Sequence, residues 1–160
     1  MYIMRDVCYI IVMDIDKTYE MLKYRIEVLD TGAITYRNSE GSLHRENGPA
    51  IISPDGSEYW YIDGERHRED GPAIISPDGT QYWYINGERH REDGPAVIEP
   101  DGTQKWYING KLHREDGPAI ALSDGSEYWY IDGERHREDG PAVIEHNGTQ
   151  QWWINGKRIK

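Results

Sequence analysis

Tyr82-Trp83-Tyr84-Ile85-Asn86-Gly87-Glu88-Arg89-His90-Arg91-Glu92-Asp93-Gly94-Pro95-Ala96 is the stretch that decides how this chain folds, because nearly all of it recurs. The segment His-Arg-Glu-Asp/Asn-Gly-Pro-Ala begins at His44, His67, His90, His113 and His136, each 23 residues after the last. Trp60, Trp83, Trp106, Trp129 and Trp152 keep the same interval. A period of this kind marks an array, in which one unit cannot bury its apolar face alone and neighbours stack to complete it.

The turns of each unit predict β-structure. Asn86-Gly87 tolerates positive φ at both central positions, as a two-residue type I′ hairpin requires. Glu99-Pro100-Asp101-Gly102-Thr103 supplies Pro preset for a type I turn and Gly for the left-handed position after it. Each repeat thus reverses twice, which gives an antiparallel meander with two strands per unit. Across the Asn-Gly turn Ile85 faces Glu88, Tyr84 faces Arg89, Trp83 faces His90 and Tyr82 faces Arg91. Across the Pro-Asp-Gly turn Ile98 faces Gln104, Val97 faces Lys105 and Ala96 faces Trp106. Strand alternation then puts Trp83, Ile85, His90, Ala96 and Ile98 on one face and Tyr82, Tyr84, Arg89, Arg91 and Val97 on the other. The Trp, Ala and terminal Ile places barely vary between copies, whereas Tyr82 becomes Lys105 and Gln151. The Trp face is therefore expected to be the core, with Trp60, Trp83, Trp106 and Trp129 buried. A corner or bulge is expected at Glu92-Asp93-Gly94-Pro95, where Gly frees the backbone and Pro interrupts the ladder.

Outside the pattern, residues 1–25 read as an N-terminal cap: an apolar β-branched run from Val7 to Ile15, then a short helix capped by Asp16. Residues 26–160 hold five to six repeats, the first (Ile26 to Gly41) and last degenerate. The fold class is all-β, an antiparallel hairpin array, open or curled into a solenoid.

Composition narrows the function. The chain has 160 residues, 18 Lys and Arg against 29 Asp and Glu, and a formal net charge of −11. Residues 1–38 hold six acids and five bases, so about −10 falls on the repeats. No apolar run reaches the roughly 18 residues of a membrane span, and the early apolar stretch lacks a secretory cleavage site. A single cysteine, Cys8, suits a reducing cytoplasm. Net acidity opposes binding to nucleic acid or an anionic membrane. A DNA mimic is expected to be too dilute: about 11 strands at about 4.8 Å give about one net charge per 5 Å, against one per roughly 1.7 Å of duplex.

The 23-residue period, with Trp83, Asn86, Gly87, His90 and the Asp101-Gly102 turn in place, resembles the MORN repeat over roughly residues 30–160. The variant Trp-Tyr-x-Asn-Gly-x-x-His-Arg-x-Asp-Gly-Pro-Ala resembles repeats common in phage, giant-virus and bacterial proteins. Arg-Glu-Asp-Gly-Pro-Ala stands where MORN units carry Gly after His. The resemblance implies an elongated array used for binding, scaffolding or self-association, with no shared catalytic activity. It also implies a phage or viral inhibitor or decoy that binds a host defence protein, acting in the host cytoplasm if phage-encoded.

Motifs for chemistry are absent or better read as structure. One His per repeat, with rungs about 9–10 Å apart, supplies too few ligands for a metal bonded at about 2.0–2.1 Å. The Glu-Asp pairs flank a Gly-Pro corner and solvate it. There is no Gly-rich phosphate loop and no Gly-x-Ser-x-Gly or Cys-x-x-Cys motif. No catalytic residue, metal or cofactor is expected. The candidate binding residues are the Tyr and Arg stripe: Tyr59, Tyr61, Arg66, Arg68, Tyr82, Tyr84, Arg89, Arg91, Tyr107, Tyr128, Tyr130, Arg135 and Arg137. These types are rich in protein-interface hot spots; the competing reading is a self-satisfied ladder that holds the sheet together. The expected partner is a host or bacterial protein, and the alternative is a homo-oligomeric scaffold.

Overall fold

A computed structural model describes residues 23–160, so the strand and most of the helix expected in the N-terminal cap lie outside the described residues. The protein is an all-β array of antiparallel hairpins. Its main element is a 12-stranded sheet whose strands follow one another in chain order. Beside it, among the described residues, run five separate two-stranded hairpins, at Asp63-Gly64, Asn86-Gly87, Asn109-Gly110, Asp132-Gly133 and Asn155-Gly156. The meander expected from the turns is therefore divided. Each repeat contributes not two strands but four short ones, illustrated by Gln81–Tyr82, Tyr84–Ile85, Glu88–Arg89 and Val97–Ile98.

The turn chemistry set the register as expected near each turn. Val97 pairs with Lys105, Ile98 with Gln104, Ile85 with Glu88, and Tyr84 with Arg89. Asn86 and Gly87 sit at φ 49° and 78°, the conformation that admits Asn and Gly most cheaply. At the other turn the Asp101 carboxylate accepts the Thr103 N–H at 2.8 Å, an Asx-type closure. Further from the turns the expected pairing fails. Tyr82 does not face Arg91; it lies in the main sheet between Ile74 and Val97.

The reason is a corner at the tryptophan. Trp83 donates its N–H to Ala96 O in the main sheet (2.8 Å), while its own carbonyl accepts the His90 N–H from the hairpin's return arm (3.2 Å). The same pair of bonds surrounds Trp60, Trp106 and Trp129. One residue thus serves two sheets and the strand turns there, in addition to the bend at Glu92-Asp93-Gly94. In the first copy Tyr36 takes the Trp place, donating to Ala50 O and accepting from His44 N–H. Its strand pairs Ile34–Arg37 with Arg25–Val28, so the worn copy continues the sheet.

Successive hairpins are bonded sideways as well. Arg68 donates its N–H to Tyr84 O (3.1 Å) and Gly87 donates to Arg66 O (2.9 Å), and later repeats repeat both bonds. The hairpins form a second layer whose Tyr84 packs against Ala73 and Ile74 of the main sheet.

The expected faces are met in part: Ala96 and its equivalents are wholly buried as expected, but the strand residues beside them exchange places in three repeats. Ile74, Val97 and Val143 are buried at 8 %, 2 % and 1 % exposure, whereas Ile75, Ile98 and Ile144 on the opposite face are half-buried. The inner face carries Tyr82 and Val97, not Ile98. The Trp side chains expected in the core are half-buried. Variation of Tyr82 to Lys105 gave the wrong signal because a long aliphatic stem can lie along apolar surface while its head finds an acid. Lys105 Nζ reaches Glu99 at 2.5 Å.

Candidate interaction surface

The surface grows out of one segment, His90 to Ala96, in which almost every residue has a structural task. Arg91 is the hub. Its guanidinium lies 4.2 Å from the Trp83 ring centroid, Nε donates to Asp93 Oδ1 at 2.7 Å, and Nη1 donates to the Pro95 carbonyl at 3.3 Å. Arg68, Arg114 and Arg137 stack on Trp60, Trp106 and Trp129 at 4.0–4.2 Å. Gly94 has no positive φ; its requirement is spatial, because a Cβ there would stand 3.1 Å from Arg91 Cζ. Ala96, like Ala50, Ala73, Ala119 and Ala142, is wholly buried where the Trp N–H arrives, which leaves no room for a larger side chain. The hydrogen bond from Arg91, followed by its positive charge, holds the Asp93 carboxyl below its ordinary pKa, and Asp70, Asp116 and Asp139 behave alike.

Histidine links neighbouring repeats. His67 Nδ1 lies 2.9 Å from Asn86 Oδ1 in the next repeat's turn, and His90 repeats this with Asn109 at 2.9 Å. At His44 and His113 the partners are Asp63 and Asp132, at 2.8 and 3.1 Å. Among the described residues no cluster of three or more His, Cys, Asp or Glu is placed to hold a metal ion. Nor is any helix there long and apolar enough to cross a membrane.

The Tyr and Arg stripe proposed from sequence lies largely between the two layers. Tyr84 is buried, and Tyr59, Tyr61, Tyr82, Tyr107, Tyr128 and Tyr130 are half-buried. Arg89 stands 5.8, 6.0 and 5.3 Å from the rings of Tyr82, Tyr84 and Tyr107. Arg66 stands 6.0 and 5.4 Å from Tyr61 and Tyr84. Arg135 approaches Tyr130 and Trp153, and its Nε donates to the Tyr130 hydroxyl at 3.1 Å. Nε of Arg66 and of Arg89 is buried without a hydrogen-bond partner, so ring faces take the place of an oxygen. Arg68, Arg91 and Arg137, expected beside Tyr59, Tyr82 and Tyr128, instead cover the tryptophans.

The Trp-bearing side is half-buried as well, its rings lying under Arg side chains, but it carries a groove. Between consecutive repeats lies a groove of about 620 Å³, lined by Pro95, Trp106 and Ile108 together with Glu92, Glu115 and the Arg91–Asp93 and Arg114–Asp116 pairs. The Glu side chains are 85 % and 87 % exposed, and the closest charged neighbours recorded for them are His90 and His113 Nε2 at 3.7 and 3.9 Å. This Glu is present in all five copies of the segment. In each it lies 3.7–3.9 Å from the His two residues before it, and in the first copy Glu46 also pairs with Lys23. The constancy was readable in the sequence; the exposure of the four later copies was not.

No protein-family model matches the chain, and no curated protein matches it.

Proposed function

We propose that this chain is a non-catalytic repeat that binds another protein, using the groove-bearing outer side of the array and not the Tyr and Arg stripe. One observation carries the reading: Glu69, Glu92, Glu115 and Glu138 stay Glu at every repeat while 85–87 % exposed, although neighbouring positions such as Tyr82 and Glu88 change to Lys105 and Lys111. A residue kept constant in a surface segment while so exposed, with a His at 3.7–3.9 Å as its one ion-pair contact, is the kind that a partner contact uses. The dispersal of Arg, His and Asp into repeated structural bonds supports a role without catalysis. The resemblance to phage and viral MORN variants extends the proposal to a bacterial or host-defence partner met in the cytoplasm.

The test is capture from bacterial lysate by the native chain and by a variant carrying Glu69→Lys, Glu92→Lys, Glu115→Lys and Glu138→Lys. A protein retained by the first and lost by the second, with unchanged circular dichroism, supports the reading. Equal retention places the contact elsewhere. A light-scattering mass of several chains, with nothing captured, favours the self-associating scaffold; Val28, Leu29 and Ile159, the exposed large apolar side chains among the described residues, would then be its first suspects.

A further inference from the structure

We propose that the outer groove at Glu92 and Glu115, together with the equivalent positions of the other repeats, binds a basic segment in polyproline II conformation, with a cation at every third residue set against successive glutamates. This rests on the protein-binding reading above and names the chemistry of the partner.

Charge selects the sign. Around the groove two guanidiniums, Arg91 and Arg114, face two aspartates, Asp93 and Asp116, at 2.7 and 2.8 Å. Those pairs cancel, and the remaining −2 resides on Glu92 and Glu115. The complement is a Lys or Arg side chain. The lining selects a second feature, because Trp106, Ile108 and Pro95 contribute apolar surface beside the acids, although Arg114 already stacks on the Trp106 ring at 4.0 Å. Grooves lined by aromatic side chains suit proline-rich segments, whose extended backbone is already ordered before binding.

Spacing selects the backbone. Each repeat adds two strands to the main sheet, so equivalent residues advance by about 9.5 Å from one repeat to the next. A polyproline II helix has three residues per turn at about 3.1 Å each, so every third side chain returns to the same side after about 9.3 Å. A β-strand repeats its face after about 6.7 Å, and an α-helix after about 5.4 or 10.8 Å. Polyproline II is the regular backbone whose period follows the repeats. Glu69, Glu92, Glu115 and Glu138 then meet four successive cations of one segment.

The experiment uses the native chain and two fluorescent peptides with equal numbers of Lys: repeated Pro-Pro-Lys triplets and repeated Pro-Pro-Pro-Lys quartets. Fluorescence anisotropy at moderate salt should show the triplet peptide bound at least about tenfold more tightly, since only it engages several grooves at once. The double variant Glu92→Gln and Glu115→Gln should bring the triplet peptide close to the quartet's affinity while circular dichroism stays unchanged. Equal affinity for both peptides, no binding of the triplet, or indifference to the double variant would each overturn the proposal. Lysate capture that persists alongside indifference to peptide period sinks this inference and spares the protein-binding reading. Period-selective peptide binding with no captured protein does the reverse.

Discussion

His90 holds the turn of the repeat that follows it: its Nδ1 lies 2.9 Å from Asn109 Oδ1 and 3.2 Å from the Asn109 backbone nitrogen. Asn109 itself sits at φ 47°, a conformation that costs most residues energy and that Asn tolerates. The imidazole therefore props a strained position from outside its own hairpin. Each repeat leans on the previous one through this contact as well as through the sheet.

His90→Ala should lower stability by about 0.5–1.5 kcal/mol, the usual net worth of one hydrogen bond. Urea unfolding of His90→Ala, Asn109→Gly and the double variant will read the coupling. Less than additive loss in the double variant is expected. Strictly additive losses would show that the contact contributes nothing.

Tyr84 is the buried member of the ring set around Arg89 and packs on Ile74. Removing a buried aromatic ring typically costs about 3–5 kcal/mol. Tyr84→Ala should thus lower the thermal midpoint sharply and loosen the hairpin layer. Trp106→Ala, at a half-buried position, should cost less than Tyr84→Ala. The reverse ranking would restore the Trp face as the core.

Two glycines separate two reasons for glycine. Gly87 lies at φ 78° and needs its conformation; Gly94 lies outside the positive-φ region and needs the space taken by Arg91. Gly87→Ala should destabilise by about 1–2 kcal/mol through the backbone. Gly94→Ala should instead push the guanidinium off Trp83, a loss of about 0.5–1 kcal/mol, accompanied by a change in Trp fluorescence. Adding Arg91→Ala should relieve the second substitution and leave the first unaltered. Relief of both, or of neither, would contradict the distinction.

Acid should destabilise the array. Asp70, Asp93, Asp116 and Asp139 are held below the ordinary aspartate pKa by hydrogen bonds from Arg. Asp55, Asp78, Asp101 and Asp124 are held below it by hydrogen bonds from turn backbone N–H groups. Carboxyls with a depressed folded pKa contribute stability that is fully present above the unfolded value, about 3.9. It is lost as pH falls through the lower folded values, because the unfolded chain then binds more protons. All eight are exposed, so each contribution is small, but they repeat. The thermal midpoint should hold from neutral pH to about pH 5 and fall below about pH 4. Asp93→Asn with Asp116→Asn should flatten that fall; a midpoint that rises on acidification would refute the argument.

Register at each turn was legible because Asn86-Gly87 and Pro100-Asp101-Gly102 dictate local dihedral angles that only a few residue types accept. The corner was harder to read. Nothing local to Trp83 announces that its N–H and C=O serve different partners, since both partners, Ala96 and His90, are placed by other parts of the repeat. The place of Arg91 was missed for the same reason: extending the hairpin register past Arg89 set it beside Tyr82, whereas it lies over Trp83.

Periodicity and turn chemistry, written in the sequence, determined an all-β array with a 23-residue unit and the pairing next to every turn. Tertiary structure alone decided which face became interior, because two-sided strands carry apolar residues on both faces, as Val97 and Ile98 do. Burial went to the face that the hairpin layer covers: Val97 is 2 % exposed while Ile98 stays half-open. Alternation can sort side chains into two sets, but only the packing of a second layer chooses between them.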